Sequence, residues 1–386
     1  MIALSCPPGG CAMAKEHDPE KWIPVFGKDH ALRMSLLVAA TAIAFVTPAS
    51  AQFYKGKTLT VLVNYGAGGN VDTEARILAR YLPRHVAGNP TVIIQNMPGA
   101  GGLHAMNLLG LNIKSKADGL TAGYFTVSPT APLTDDPAFK INMAEDYVPL
   151  GGATGWTVAY ARKDTPPGLS RPADFAKASK VYFGGYSRSS AHDTRIRLAL
   201  EVMNLSYQAV TGFPSAGDLN KAFQQNEINM STSSLPAYQT QVVPNIIATG
   251  IGIPLWHYAA IGAYGAPEGN PSLSRQGIPV YTEVYKEAFG RMPSGEKFDA
   301  LLLMNDIATR LQRGFFLPKG APDDAVADLR RAFLALASDP DFVSDWERIT
   351  KEKPDFVGAE AVQRVFDAMR AVRPEIRKVL KESIGG

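Results

Sequence analysis

The fold is decided by the stretch TLTVLVNYGAGGNVD at residues 58–72. A buried strand at 58–63 leads into a glycine loop at 66–69 and then into a helical pattern over 71–85. The apolar stripe of that helix leaves Glu74 facing water. A strand that turns through glycines into an amphipathic helix is typical of α/β layers.

The same unit recurs directly afterwards. A strand at 91–95 is followed by a second glycine loop at 99–102, a short helix over 103–111 and a third strand near 120–126. Together these segments predict a βαβαβ lobe.

Beyond residue 157 strands and helical segments alternate again, and the chain is predicted to return to the first lobe near Pro254. The stretch 265–277, rich in Gly, Pro and Ser, is predicted to be an exposed loop. We therefore predict a two-lobed α/β fold, with a mostly parallel sheet flanked by helices in each lobe and hinge strands between them. The predicted bounds are 52–157 plus 255–386 for lobe 1 and 158–254 for lobe 2.

The N-terminal segment has the pattern of an export signal. Arg33 precedes an apolar run over 34–46, and Pro48 is followed by small residues at 49–51. This order is typical of a cleaved signal peptide, so we expect a periplasmic mature chain that begins at Gln52. The run is shorter than the roughly 20 apolar residues that span a bilayer.

Residues 1–51 are thus expected to be leader and signal peptide, with Met34 as a candidate translation start. Both cysteines, Cys6 and Cys11, lie in this segment. The mature chain is therefore expected to have no disulfide, no cysteine nucleophile and no thiolate metal site.

The composition argues against several classes of protein. The formal net charge of +3 is close to neutral for 386 residues, and no basic block suggests nucleic acid. Val71 stands where a dinucleotide fingerprint needs glycine, and no phosphate loop is present. The histidines after residue 51 lack metal-ligand spacing. No cofactor and no metal are predicted.

The two glycine loops carry the predicted chemistry. Each lies between the end of a strand and the start of a helix, where backbone N–H groups and the helix dipole favour an anion. In open α/β sheets, ligands bind beyond the carboxyl ends of the strands, where both loops would converge.

These segments resemble the receptors of tripartite tricarboxylate transporters, the Bug family. The resemblance is carried by VNYGAGGNVD at 63–72, QNMPGAGG at 95–102, Asp118-Gly119 and FLPKGAP at 316–322. It implies a type II-like periplasmic binding protein that closes over a small organic carboxylate, either an aliphatic di- or tricarboxylate or an aromatic acid. It also implies that the chain is not an enzyme.

Carried over by position, the resemblance implies a site made of two first-lobe loops and one second-lobe loop. Arg188 stands where the family has a small residue, and its guanidinium could pair with a carboxylate. Asp72 is expected to organise its loop rather than touch the anion. The candidate ligand-binding residues are Tyr65, Gly66, Ala67, Gly68, Gly69, Asp72, Met97, Pro98, Gly99, Ala100, Gly101, Tyr186, Ser187, Arg188, Ser189, Ser190, His192, Thr211 and Ser231.

The resemblance further implies a monomer that delivers its ligand to the membrane permease subunits of a tripartite tricarboxylate-type transporter. Two alternatives stay open. A ligand-sensing co-receptor would bind the same solute but would partner a signalling protein. A secreted hydrolase would need Ser189 or Ser190 hydrogen-bonded to His192.

Overall fold

The structure is a computed structural model that describes residues 52–111, 116–262 and 265–385. The predicted signal peptide and both cysteines lie outside these residues. None of the helices within these ranges is long and apolar enough to cross a membrane.

Strands and helices alternate along most of the described chain. The strands are β1 (Thr58–Val63), β2 (Thr91–Asn96), β3 (Thr121–Thr126), β4 (Tyr147–Ala153), β5 (Thr157–Arg162), β6 (Val181–Gly185), β7 (Tyr207–Thr211), β8 (Met230–Ser234), β9 (Gly252–His257), β10 (Ala260–Ile261), β11 (Pro267–Glu268), β12 (Arg313–Pro318) and β13 (Phe356–Gly358). The α-helices are α1 (Asn70–Tyr81), α2 (Leu103–Gly110), α3 (Thr130–Thr134), α4 (Met143–Asp146), α5 (Ala191–Val202), α6 (Ala216–Gln224), α7 (Leu235–Ala237), α8 (Pro271–Arg275), α9 (Tyr281–Phe289), α10 (Glu296–Arg310), α11 (Asp323–Ala335), α12 (Pro340–Thr350), α13 (Ala359–Arg370) and α14 (Pro374–Ser383).

The first sheet has the strand order β13-β4-β12-β3-β1-β2. Strand β1 pairs in parallel with β2 and β3, so the predicted βαβαβ unit is present. Strand β12 is antiparallel to both β3 and β4. The sheet is therefore mixed and not mostly parallel as predicted, because the C-terminal part of the chain re-enters it in the opposite direction.

The second sheet has the order β7-β6-β8-β5-β9. Strand β6 is parallel to β7 and β8, whereas β5 is antiparallel to β8 and β9. With two sheets flanked by helices, the predicted two-lobed α/β architecture is confirmed.

The chain stays with the second sheet beyond the point where the sequence predicts its return. Pro254 lies inside β9, which pairs with β5. Helices α9 and α10 follow, and Tyr281 of α9 donates a hydrogen bond from its Oη to the carbonyl of Ala199 in α5, over 2.8 Å. The predicted bounds of the two lobes stay a prediction.

The prediction of an exposed loop over 265–277 is wrong in part. Helix α8 forms there because Asn270 caps it, its Oδ1 accepting hydrogen bonds from the amides of Ser272 and Leu273. Leu273 is fully buried and holds this short helix against the second lobe.

The largest apolar core cluster contains residues of both lobes. Phe125 of β3 and Phe183 of β6 both belong to it and are fully buried. The two sheets are therefore joined by shared packing as well as by the connecting strands.

Candidate functional site

A cavity of about 100 Å³ lies between the two sheets. It lies at the carboxyl ends of four strands, since Tyr65 follows β1, Thr126 ends β3, Tyr186 follows β6, and Ser234 ends β8. Ligands of open α/β sheets bind at such edges. The cavity is thus the candidate site, at the place where the sequence predicts convergence.

Tyr65 connects the first glycine loop to the second glycine loop and to the second lobe. Its hydroxyl donates to the carbonyl of Gly101 over 3.0 Å, and its ring centroid lies 5.2 Å from that of Tyr186 in an edge-on arrangement. Burial raises the pKa of the Tyr65 hydroxyl, so the group stays neutral. This contact closes the cavity across the two lobes.

Asp72 organises the first loop. Its Oδ2 accepts hydrogen bonds from the Gly68 amide and from Arg76 Nε, both over 2.9 Å. Burial acts to raise the pKa of Asp72, but the hydrogen bonds from Arg76 and Gly68 outweigh burial and hold that pKa below its usual value. The loop amide at Gly68 is therefore already bonded to a carboxylate of the chain itself.

The second glycine loop makes a close contact with the second lobe. Gly101 has a φ of 64°, and a Cβ placed on it would lie 2.2 Å from Ser187 Oγ. Glycine is required here both for the backbone conformation and for the approach of Ser187. Residues 97–101 are not among the described residues that line the cavity.

The loop before α5 is held by Asp193, which is fully buried. Its Oδ1 accepts a hydrogen bond from the Tyr186 amide over 2.8 Å and from Ser190 Oγ over 2.6 Å. The same oxygen lies 3.1 Å from His192 Nδ1, and His192 Nε2 lies 3.1 Å from the carbonyl of Thr232. Both ring nitrogens thus lie within hydrogen-bond distance of an oxygen atom.

Arg195 is the cation of the cavity that sequence reasoning missed. Its Nε donates to the carbonyl of Ala191 and its Nη1 to Thr157 Oγ1, both over 3.1 Å. The guanidinium carbon lies 5.8 Å from the centroid of the Tyr258 ring. Burial lowers the pKa of the Arg195 guanidinium, and no carboxylate of the described residues pairs with it.

A signal for Arg195 was present in the sequence. Residues three apart on a helix share a face, so Arg195 follows His192 along the side of α5 that faces the cleft.

A second cation, Arg313, also lines the cavity but is neutralised. Its Nε lies 2.8 Å from Glu74 Oε2, which also accepts a hydrogen bond from the Tyr124 hydroxyl over 3.1 Å. Burial acts to lower the pKa of Arg313, but the charge of Glu74 outweighs it and raises that pKa. The prediction that Glu74 faces water is wrong, since the residue is 3% exposed.

Comparisons with known proteins bear on the fold of the chain. No protein-family model matches the chain. Over 128 residues the chain is 34% identical to protein BugT of Bordetella pertussis, a match that covers 31% of this chain and 37% of BugT. The solved structure of the periplasmic binding protein BugD matches with a TM-score of 0.62 and 16% identity, over 86% of this chain and 98% of BugD.

The resemblance to the Bug receptors is confirmed. MatC from Rhodopseudomonas palustris, solved with bound malate, matches with a TM-score of 0.61 and 17% identity, over 85% of this chain and 99% of MatC. At these identities the solved structures establish the fold, which is that of the two-lobed periplasmic binding proteins. The BugT match spans a little over a third of that relative, at 37%.

The predicted site residues divide into two groups. Four line the cavity: Tyr65, Gly69, Tyr186 and His192. The others lie outside its lining and remain predictions as ligand contacts: Gly66, Ala67, Gly68, Asp72, Met97, Pro98, Gly99, Ala100, Gly101, Ser187, Arg188, Ser189, Ser190, Thr211 and Ser231.

Arg188 has an exposed side chain. Its carbonyl accepts a hydrogen bond from Arg197 Nη1 over 2.7 Å, which fixes the backbone of the loop while the guanidinium lies near Gly385. One guanidinium that lines the cavity, that of Arg195, comes from the following helix instead.

The serine–histidine pairs that a hydrolase would need are arranged otherwise. Ser190 Oγ bonds with Asp193, in keeping with its role as the cap of α5. Ser231 Oγ lies 3.4 Å from His192 Nε2, but Ser231 is fully buried and is not part of the cavity lining. A substrate in the cavity therefore meets Thr232, not Ser231. Within the described residues no group of three or more His, Cys, Asp or Glu could hold a metal ion.

Proposed function

We propose that this chain is a periplasmic solute-binding protein that captures a small organic carboxylate between its two lobes. The single observation that carries the proposal is the guanidinium of Arg195, which lines the cavity between the lobes and pairs with no described carboxylate. Arginine cannot be deprotonated in proteins, so an anion in the cavity would pair with its positive charge.

The contacts that span the cleft indicate how ligand binding is coupled to closure of the two lobes. Ser128 Oγ accepts a hydrogen bond from the Ala191 amide over 3.0 Å, and Asn70 Nδ2 donates to Ser234 Oγ over 3.3 Å. These contacts exist only when the lobes meet. A ligand that touches both lobes would therefore favour the closed form.

Delivery to a membrane permease of the tripartite tricarboxylate type is the second part of the proposal. It is supported by the resemblance to Bug receptors and by the export pattern at residues 33–51. The sensing alternative uses the same closed form but a different partner.

Binding is tested by calorimetric titration of the chain from Gln52 with a panel of mono-, di-, tri- and aromatic carboxylates and with the neutral amide of each acid. At least one acid is expected to bind and its amide is not, because the amide lacks the charge that Arg195 pairs with. Silence of every acid, or equal binding of acid and amide, would contradict the proposal. Product formation in the same samples would favour the hydrolase instead.

The partner is tested by crosslinking in cells supplied with the acid that binds. Acid-dependent recovery of permease subunits supports delivery. Recovery of a signalling receptor instead would replace delivery by sensing and leave ligand capture intact.

A further inference from the structure

The wall of the cavity carries positive groups and lacks negative ones. Arg195, Arg313 and His192 belong to it, whereas no Asp or Glu does among the described lining residues. An enclosed ligand therefore meets donors and positive charge on several sides.

Two of these three groups have a carboxylate of their own. Arg313 is paired with Glu74 at 2.8 Å, and His192 faces Asp193 at 3.1 Å. The Arg313–Glu74 pair is close to neutral as a unit. Arg195 instead donates to a carbonyl and a hydroxyl, both uncharged. Within the described chain, the cavity thus holds the equivalent of one uncompensated positive charge.

Two amides of the glycine loops already have partners within the chain, and the residues of this region that line the cavity are Gly69, Asn70 and Val71 at the start of α1. The Gly68 amide is bonded to Asp72, and the Gly102 amide is bonded to the carbonyl of Gly99 over 2.9 Å. Ala67 and Ala100, within the two loops, are exposed. Of the residues 66–69, only Gly69 lines the cavity.

The size of the cavity sets a further bound. A volume of about 100 Å³ is well below the roughly 300 Å³ at which sites for drug-sized ligands begin. A ligand with a short carbon chain therefore suits the cavity better than a drug-sized one.

One neutral polar group points to the rest of the ligand. Thr232 Oγ1 is buried and has no described hydrogen-bond partner, and Thr232 lines the cavity beside Ser233. A buried hydroxyl without a partner is costly, so a ligand oxygen that pairs with it would be favoured.

We infer that the ligand is a short hydroxy- or oxo-monocarboxylate whose carboxylate pairs with Arg195 and whose second oxygen bonds to Thr232. This inference rests on the proposed function and narrows the ligand to an acid with a single negative charge. A second carboxylate would enter the cavity without a cation of its own.

The test compares acids that differ only by a methyl group in place of a carboxylate. Calorimetric titration of the chain from Gln52 is done with lactate against tartronate, and with 3-hydroxybutyrate against malate. The monocarboxylate of each pair is expected to bind at least about tenfold more tightly, because burying the unpaired second charge is unfavourable. Equal or tighter binding of the dicarboxylates overturns the inference and leaves carboxylate capture standing. Silence of all acids overturns the proposed function itself.

Variants locate the two contacts. Arg195→Gln is expected to weaken monocarboxylate binding at least about a hundredfold, whereas Arg291→Gln, at an exposed arginine outside the cavity lining, serves as the matched control and stays within about twofold. Thr232→Val is expected to weaken lactate binding but to leave propionate unchanged, since propionate lacks the second oxygen. Unchanged affinity in Arg195→Gln overturns the anchor. Should that variant fail to fold, the ranking of the acid pairs on the unaltered chain decides alone.

Discussion

Two arginines line the same cavity in opposite electrostatic settings. Arg313 lies in β12 of the first lobe, where Glu74 neutralises it. Arg195 lies in α5 of the second lobe and bonds only to uncharged oxygens of the described residues. Both side chains are largely withdrawn from water, so the difference lies in the partner and not in the exposure.

The contrast separates structure from binding. A buried arginine with its own carboxylate is satisfied before any ligand arrives, and removing that carboxylate leaves a buried charge. A buried arginine without one is satisfied only when an anion enters. We therefore expect the first lobe to supply the rigid part of the site and the second lobe to supply the charge that selects the ligand.

The largest effect is expected from breaking the neutralised pair. Glu74→Gln should lower the free energy of unfolding by about 3–5 kcal/mol, because it leaves Arg313 charged and buried. Urea unfolding measures this loss. Asp135→Asn, which removes an exposed ion pair with Lys381, is the control and should cost less than about 1 kcal/mol. If the folded variant gains affinity for malate, Arg313 has become a second free cation.

A smaller effect is expected at Glu352, an acid on the far side of the Glu74–Arg313 pair. Burial and the charge of Glu74 raise the pKa of Glu352 from 4.5 to about 8. The folded chain holds this proton to a higher pH than the unfolded chain does. The stability contribution is thus complete below about pH 4.5 and is lost as the pH rises to about 8.

We expect the free energy of unfolding to fall by about 2 kcal/mol between about pH 5 and pH 8.5, and Glu352→Gln to remove that fall. Urea unfolding across this pH range measures it, with the exposed Glu360→Gln as the control. A pH dependence that survives in Glu352→Gln would assign it to another group.

The unpaired arginine should behave in the opposite way to the paired one. Arg195→Met is expected to stabilise the ligand-free chain by about 1 kcal/mol, because an apolar side chain of similar length removes an uncompensated buried charge. Thermal unfolding without ligand measures this gain. A loss as large as that of Glu74→Gln would mean that Arg195 is structural.

The smallest effect is expected at Arg188, the arginine singled out from the sequence. Arg188→Ala should change the free energy of unfolding by no more than about 0.5 kcal/mol, since its side chain is exposed. Its affinity for the ligand, measured by calorimetry, should also stay the same. A tenfold loss of affinity would instead indicate that Arg188, in the loop before α5, supplies the positive charge that pairs with the ligand.

The regular parts of the fold were predictable because hydrophobic pattern and turn residues act locally. The strands at 58–63 and 91–96, the glycine loops after them and the helix over 216–224 follow from alternation, periodicity and caps. Helix α8 was missed because its single buried apolar residue, Leu273, gives no periodic pattern over five residues.

The charges of the site were less predictable. The sequence pattern places Glu74 on the polar side of α1. Its partner Arg313 lies in β12, 239 positions further along the chain, and only the fold brings the two together. The pairing of Asp72 with its own loop is local and followed from position alone.

The sequence by itself determined that two glycine turns open a βαβαβ lobe and that the chain resembles the Bug receptors, because strand periodicity and glycine backbone freedom are local properties. Only the tertiary structure decided which charges remain free in the cleft. Whether a buried cation has a partner depends on residues brought from distant strands and helices, and no local pattern records that pairing. For this reason the glycine loops can be predicted from the sequence, whereas the lack of a carboxylate partner for Arg195 is a property of the folded chain.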